Sequence, residues 1–325
     1  MAMTRNDFLR LTAGFTTWAA IPRVARAQAY PARPVRLVVG FAAGGGTDGT
    51  ARLLADWLSR YFGQQFIVEN RTGASGNLAT EAVVRSAADG YTLLFAGTNS
   101  TIADSLYKKL AFDFRRDCVP VASVLRFPNL MVVSPSLPVT TVREFIDYAK
   151  RQPDKLSLAS SGHGTSLHLC GEMFSAMTHI AMIHVPYRGS AVAYPDLIEG
   201  RVHVMFDNLT SALAMARGGK VRALGVTSAE RWQSLADIPA IAETVPGYEA
   251  LIWYAIMAPK GTPPGVVFAL NQAVNAALGD RVLVARLAET GGVPMAMTPQ
   301  ALGRFIDEDV ARWRKVVDIA GITAE

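Results

Sequence analysis

Cysteine is almost missing from this chain: Cys118 and Cys170 are the only two among 325 residues. A disulfide scaffold is therefore excluded, and neither thiol has a metal-ligand set near it in sequence. Cys118 reads as a loop residue and Cys170 as a helical one, so two free, buried thiols are expected; pairing in an oxidising compartment is the alternative. Long apolar runs are missing too. Beyond the first thirty residues none approaches the roughly 18 residues of a membrane-spanning helix. No Lys/Arg stripe is interleaved with aromatics, which leaves nucleic-acid binding unsupported. There is no G-x-S-x-G elbow, and Ser161-Gly162-His163 lacks an acid partner, so an acyl-transfer triad is unsupported. The five histidines, at 163, 168, 179, 184 and 203, form no metal set. His163 and His168 straddle a loop and a helix start, where a polar cap and a packed ring are the expected roles. Repeats, low-complexity tracts and sustained charge runs are absent, and neither cofactor nor metal is expected.

The N-terminus differs from the rest. Arg5 and Arg10 precede an apolar stretch from Leu11 to Ile21, and small residues follow at Ala25-Arg-Ala27 and Ala27-Gln-Ala29. That order describes a secretory signal peptide, 1–29, with cleavage after Ala29 or, alternatively, Ala27. The expected location is periplasmic. No cysteine follows the stretch, which argues against a lipid anchor, and Arg5-Asn6 falls one residue short of a twin-arginine signal, an export route that stays open. Arg5, Arg10, Arg23 and Arg26 against Asp7 carry most of the +5 net charge, so the exported chain is nearly neutral.

What remains is too long for one compact core and suits two domains. Strand-like and helix-like segments alternate, which predicts an α/β fold with largely parallel sheets. Strands are expected at 35–39, 65–68 and 92–96, with helices at 50–61 and 77–87 whose apolar faces are Ala51, Leu54, Ala55 and Leu58, and Leu78, Ala82 and Val83. A second α/β cycle begins at Leu130 and runs to Val226. Three helices then close the chain, at 266–278, 281–290 and 299–320, without strands enough for a third sheet, so they are expected to pack back on the first part. The reading is one domain of 30–130 plus 251–325 and another of 131–250, joined by a hinge of two crossings.

Four strands end in short polar loops that open helices: Gly44-Gly45-Gly46-Thr47-Asp48, Thr98-Asn99-Ser100, Ser160-Ser161-Gly162-His163-Gly164-Thr165 and Asp207-Asn208. In open sheets, ligands bind where such strand-end loops converge. Donors dominate here, in hydroxyls, amides and free helix-end N–H groups, which suits a carboxylate. Asp48 and Asp207 are the acceptors in that field. Asp48 either takes a ligand hydroxyl, amine or bridging water, or caps its own helix. Tyr187 is expected to line the cleft, while Arg188 either pairs with a ligand carboxylate or, preferably, is a solvated surface residue.

The first loop also spells G-x-G-x-x-G through Gly44, Gly46 and Gly49, with Glu69 twenty residues on where a ribose-binding acid would stand. An exported Rossmann-type NAD(P)-dependent oxidoreductase is therefore the alternative. Phe41-Ala-Ala43 delays the turn after the strand, however, and nicotinamide cofactors are scarce outside the cytoplasm.

Taken together, the segments Tyr30–Val39, Ala43–Asp48, Val68–Gly76, Asp89–Leu94, His184–Gly189, Arg222–Ser228 and Ala258–Pro263 resemble the Bug family, also called TctC-type. These are the extracytoplasmic solute receptors of tripartite tricarboxylate transporters. The resemblance covers nearly the whole exported chain. It implies a type II periplasmic-binding-protein fold holding a small organic acid between two domains, a membrane permease as partner, a monomer and no catalysis. It places ligand contacts at Gly44 to Asp48, at Ser161 to Thr165 with His168, and at Asp207. Gly46 and Gly49 depart from the family by replacing bulkier residues, as does Cys118 after Asp117, where an aromatic is common. Which solute is bound, among di- and tricarboxylates, acidic amino acids, aromatic acids and nicotinamide-like compounds, stays open, as does uptake against sensing.

Overall fold

The computed structural model describes residues 30–322 apart from Lys108, Asp154 and Thr290, so the signal-peptide segment lies outside the described residues. The chain opens with β1 (Val35–Val39), α1 (Gly46–Phe62), β2 (Phe66–Asn70), α2 (Asn77–Val84), β3 (Thr92–Gly97) and α3 (Thr98–Leu106). A short α4 (Phe114–Asp117) leads into β4 (Cys118–Val133), followed by α5 (Val142–Arg151), β5 (Ser157–Ser160), α6 (Ser166–Thr178) and β6 (Ile183–Pro186). Then come α7 (Ser190–Ile198), β7 (Val204–Asn208), α8 (Leu209–Arg217), β8 (Arg222–Val226) and β9 (Leu251–Pro259). The last elements are α9 (Pro264–Ala277), α10 (Arg281–Glu289), β10 (Val293–Pro294) and α11 (Pro299–Ala320).

The strands connect in the order β2-β1-β3-β9-β4-β7-β5-β6, with β8 and β10 each pairing β4 off that path. The expected largely parallel arrangement is only half of what is found. Pairs β1–β2, β1–β3, β5–β6 and β5–β7 are parallel. Every pair made by β4 or β9 is antiparallel. Strand β4 is the axis of the sheet: Cys118 to Pro128 pair with β9, and from Asn129 onward the strand pairs with β7 and β8. Its first part escapes sequence reading because Pro120 and Pro128 look like strand breakers. Pro120 in fact sits beside a register shift, and Pro128 is the last residue paired with β9 before the partners change. Cys118 is thus the buried first residue of a strand rather than a loop residue, and both thiols are free and buried.

Helix α1 buries Ala51, Leu54, Ala55 and Leu58, the stripe its spacing predicts. It begins four residues earlier than expected, at Gly46, because its first turn is fixed by contacts described below rather than by helix propensity. In α2 the buried face is Ala79, Thr80 and Val83, while Leu78 is 45% exposed and lies over the Gly73 backbone. The closing helices do fold back: α9 and α10 pack on α1, and α11 packs on α3 and β4.

One buried polar group ties α11 to the sheet. Asp309 is fully buried, and its Oδ2 accepts from Thr101 Oγ1 and from Trp253 Nε1, both at 2.7 Å. Its removal would strand the buried Trp253 Nε1–H, since the Thr101 hydroxyl can turn to the Thr98 carbonyl, at a cost of about 1–3 kcal/mol. Asp309→Ala is therefore expected to lower the urea midpoint at unchanged slope, with Asp309→Asn losing less; equal loss in both would mean that the acceptor is not what matters.

Candidate functional site

The loop between β1 and α1 is held from inside. Gly44 takes φ +83°, a left-handed conformation that suits glycine, and Gly45 is an extended N-cap with no side chain to cap the helix. The Asp48 carboxylate closes the loop instead. Its Oδ2 accepts from the Gly44 N–H and from Arg52 Nε, each at 2.9 Å, and its Oδ1 accepts from Asn70 Nδ2 at 2.8 Å. Asn70 also reaches the Phe41 carbonyl at 3.0 Å. Burial alone would raise this carboxyl; the donors from Arg52, Gly44 and Asn70 outweigh it and hold Asp48 below the usual carboxylate range. Asp48 thus fixes the residue ahead of the N-cap and leaves the first-turn amides of Gly46 and Thr47 without a carbonyl one turn back. Thr47 Oγ1 meets the Tyr254 hydroxyl at 2.9 Å.

The loop after β3 divides its labour. Thr98 turns away, its hydroxyl accepting the Trp253 N–H at 3.0 Å, while Asn99 Oδ1 accepts the Ser166 N–H at 2.6 Å and so caps α6 from another element. Ser100 lines the space beside Tyr254. After β5, Gly162 sits at φ +132° with its Cα facing Ser75, whose hydroxyl donates to the His163 carbonyl. Tyr107 donates to that carbonyl as well, at 3.2 Å. Thr165 Oγ1 turns back to the Gly162 carbonyl at 2.8 Å.

Three of the histidines stack. His168 is buried, its Nδ1 accepting the Gly164 N–H at 3.1 Å and its Nε2 facing Glu172 at 3.4 Å. The His184 ring lies on it at 3.7 Å, and His163 is 4.8 Å away. Burial, then the neighbouring His168 and His163, push the His184 imidazole down to about 3. His163 and His168 therefore act as loop support, and no group of three metal-ligating side chains occurs among the described residues.

The loops converge on one recess, lined by Phe41, Gly45, Gly46, Thr47, Asn99, Ser161, Gly189, Ser190 and Asn208. Four helices start at its wall, α1, α3, α7 and α8, and none of the four has a side-chain hydrogen bond capping its first turn. The recess adjoins a cleft of about 620 Å³, sharing Phe41 and Ser161 with it, where Ser75, Gly162, His163, Tyr187 and Arg188 stand. Tyr187 is tied to Asp196 at 2.6 Å, while exposed Arg188 has no ion-pair partner among the described residues. Gly44, Asp48, Thr98, Gly164, Thr165, His168 and Asp207 line neither space; they shape the loops behind it. Asp207 is fully buried, with Oδ2 accepting from Tyr194 at 2.6 Å and from Ser211. A separate groove of about 590 Å³ between α8 and β8 is reached by none of these loops.

Several of these residues carried no clear signal in sequence. Ser190 opens α7 as an ordinary small residue, and Tyr254 sits inside a strand. Ser75 was the readable one, since Gly73-Ala-Ser-Gly76 is a fifth glycine-bracketed loop following a strand. Ala74 and Ser75 there take positive φ of 46° and 56°, a strained conformation for residues with a side chain.

The profile described as tripartite tricarboxylate transporter family receptor matches residues 50–322. This chain belongs to that family. Protein BugT of Bordetella pertussis is 36% identical over 324 residues, covering 99% of either chain. The structure of R. palustris Rpa4515 with adipate is 42% identical, covers 90% of this chain and 99% of its own, and superposes with a TM-score of 0.88. The periplasmic binding protein BugD is 35% identical, with 91% and 100% covered and a TM-score of 0.87. The receptor therefore has the periplasmic-binding-protein fold, and its family is one of solute-binding receptors. The dinucleotide alternative finds no support in these matches. Glu69, its ribose acid, is instead 3.5 Å from Arg36. No helix among the described residues is long and apolar enough to cross a membrane.

Because its folded value lies below the unfolded one of about 6.5, His184 contributes its full share to stability above that pH and loses it as the pH falls towards 3. Its ring resonances are expected to stay at the neutral position down to pH 5. Titration between pH 6 and 7 would show that the stack is open to water.

Proposed function

We propose that this receptor captures a small organic anion with its carboxylate in the recess, closes around it, and hands it to the membrane permease of a tripartite tricarboxylate transporter. The observation that carries this reading is the meeting of four uncapped helix N-termini at one site that, among the described residues, has no buried cation in its lining. Each contributes about 0.3–1 kcal/mol towards an anion, more where water is excluded. Gly46, Thr47, Asn99, Ser161, Ser190 and Asn208 supply the donors, and Phe41 and Tyr187 the apolar and aromatic wall. Residues 30–130 with 251–325 form one lobe, residues 131–250 the other, and β4 with β9 the two crossings between them. The protein is exported, cut near Ala27 or Ala29, works as a monomer, and needs neither cofactor nor catalytic step.

Rpa4515, the relative solved with adipate, supports a carboxylate as the ligand class. Arg188 at the mouth of the cleft supports an acid whose far end carries a second acceptor, such as another carboxylate.

Thermal shift against a panel of organic acids tests the reading. An acid present at about 100 times its dissociation constant should stabilise the fold by roughly 2.7 kcal/mol; a shift by NAD with none by any acid would overturn it. Closure is tested at Gly46, where an added Cβ would stand 2.9 Å from Asn208 Cβ. Gly46→Ala should weaken binding at least tenfold while the unliganded melting temperature holds. Arg188→Gln should weaken a diacid more than the matching monoacid, and equal loss would remove Arg188 from recognition.

A further inference from the structure

Asp207 is the one carboxylate at the site that Asp48's kind of pairing does not explain. It is completely buried at the end of β7, one residue before Asn208, which lines the recess. The Tyr194 and Ser211 hydroxyls donate to Oδ2, and the Asn208 N–H and the Ser190 hydroxyl also bear on the carboxyl. Oδ1 is buried and has no hydrogen-bond partner among the described residues. Every element around it faces it with neutral groups. Helix α7 brings Tyr194 and Ser190, α8 brings Ser211, β9 brings Tyr254, and the paired residue on β4 is Leu130. Among the described residues no cation pairs with it, in contrast to Asp48, which has Arg52. Ser190 lines the recess itself, and Tyr254 reaches it through Thr47.

An ionised Asp207 would therefore place a buried, half-satisfied negative charge behind the very donors that are to attract an anion. A neutral acid has no such conflict: its Oδ2 keeps both hydroxyl donors, and its Oδ1 gains a proton to give. We infer that Asp207 serves the bound state as a neutral acid behind the recess, so that capture of a carboxylate takes up one proton. This rests on the carboxylate reading of the recess. Burial raises the Asp207 carboxyl above its usual range, with the Ser211 and Tyr194 hydroxyls, the Asn208 N–H and the Ser190 hydroxyl offsetting only part of the rise. A second negative charge arriving in the recess moves it further in the same direction. The proton comes from solvent, and no bond other than the O–H is made or broken.

Carbon-13 labelling of aspartate lets the Asp207 carboxyl be followed by NMR in the full exported chain, with adipate as the probe. Its resonance is identified by its loss in Asp207→Asn and, independently, by its movement in Tyr194→Phe should the first variant not fold. The expected result is a midpoint above the ordinary carboxylate range in the free protein, raised further with adipate. Wild-type affinity should then fall about tenfold per pH unit above the free midpoint and level off above the liganded one, while Asp207→Asn binds with little pH dependence. A carboxyl that stays ionised down to pH 4 with adipate bound overturns the inference. If adipate binds at no pH, the free protein still decides: a midpoint in the ordinary carboxylate range overturns the acid, and one above that range upholds it while counting against the ligand class.

Discussion

The antiparallel pairing of β4 with β9 is the constraint on which the rest of this molecule depends. Two distant segments, Cys118–Pro128 and Leu251–Pro259, are bonded to each other along the middle of the sheet. Successive side chains on a strand face opposite ways, and β9 uses this at two neighbouring residues. Trp253 points to Asp309 in α11, and Tyr254 points to Thr47 at the start of α1. Tyr254 is also packed between Phe95 and Phe127, ring centroids 5.2 and 5.0 Å away. The first turn of α1 is thereby set against a rigid strand pair, so the amides aimed into the recess are placed by the centre of the sheet.

That placement explains how helix ends, rather than a charged side chain, can hold an anion. A buried lysine or arginine would bind a carboxylate strongly but would have to be desolvated when the site is empty. Partial charges on helix ends need no such compensation, because they are fixed by the backbone and paid for in folding. Asp48 shows the same economy. Although acidic and within the glycine loop, it spends its charge on Gly44, Asn70 and Arg52, and so organises the donors without competing for them.

The alternation of elements, the strand-end loops and the family were legible in the sequence, because period and turn chemistry are local properties. Inside the loops legibility depended on the residue. Gly45, Gly46, Thr47, Asn99 and Asn208 line the recess. Thr98 does not, since its hydroxyl is claimed by a backbone N–H on β9, 155 positions away in sequence. The His stack was half visible: His163 and His168 lie on one loop and helix, but His184 joins them only through β5–β6 pairing. Strand β4 misled for a different reason. Proline excludes a ladder donor but not a bulge or a change of partner, and only the tertiary arrangement supplies those.

The contacts across the recess also say what drives closure. Gly46 approaches Asn208, and Gly162 approaches Ser75, with the Ser75 hydroxyl bonded to the His163 carbonyl. These are small and polar groups, which bury little apolar surface, so they add little to the closed form by themselves at roughly 25 cal/mol per Å². Hydrogen bonds there replace bonds to water and are worth only about 0.5–1.5 kcal/mol each. On the function proposed above, the free energy of closure comes from an anion that meets all four helix ends only when both sides are in place. Such a ligand has the differential affinity that a population shift requires. The glycine at position 46 fits this scheme: without a Cβ it allows the approach to Asn208 without rewarding it.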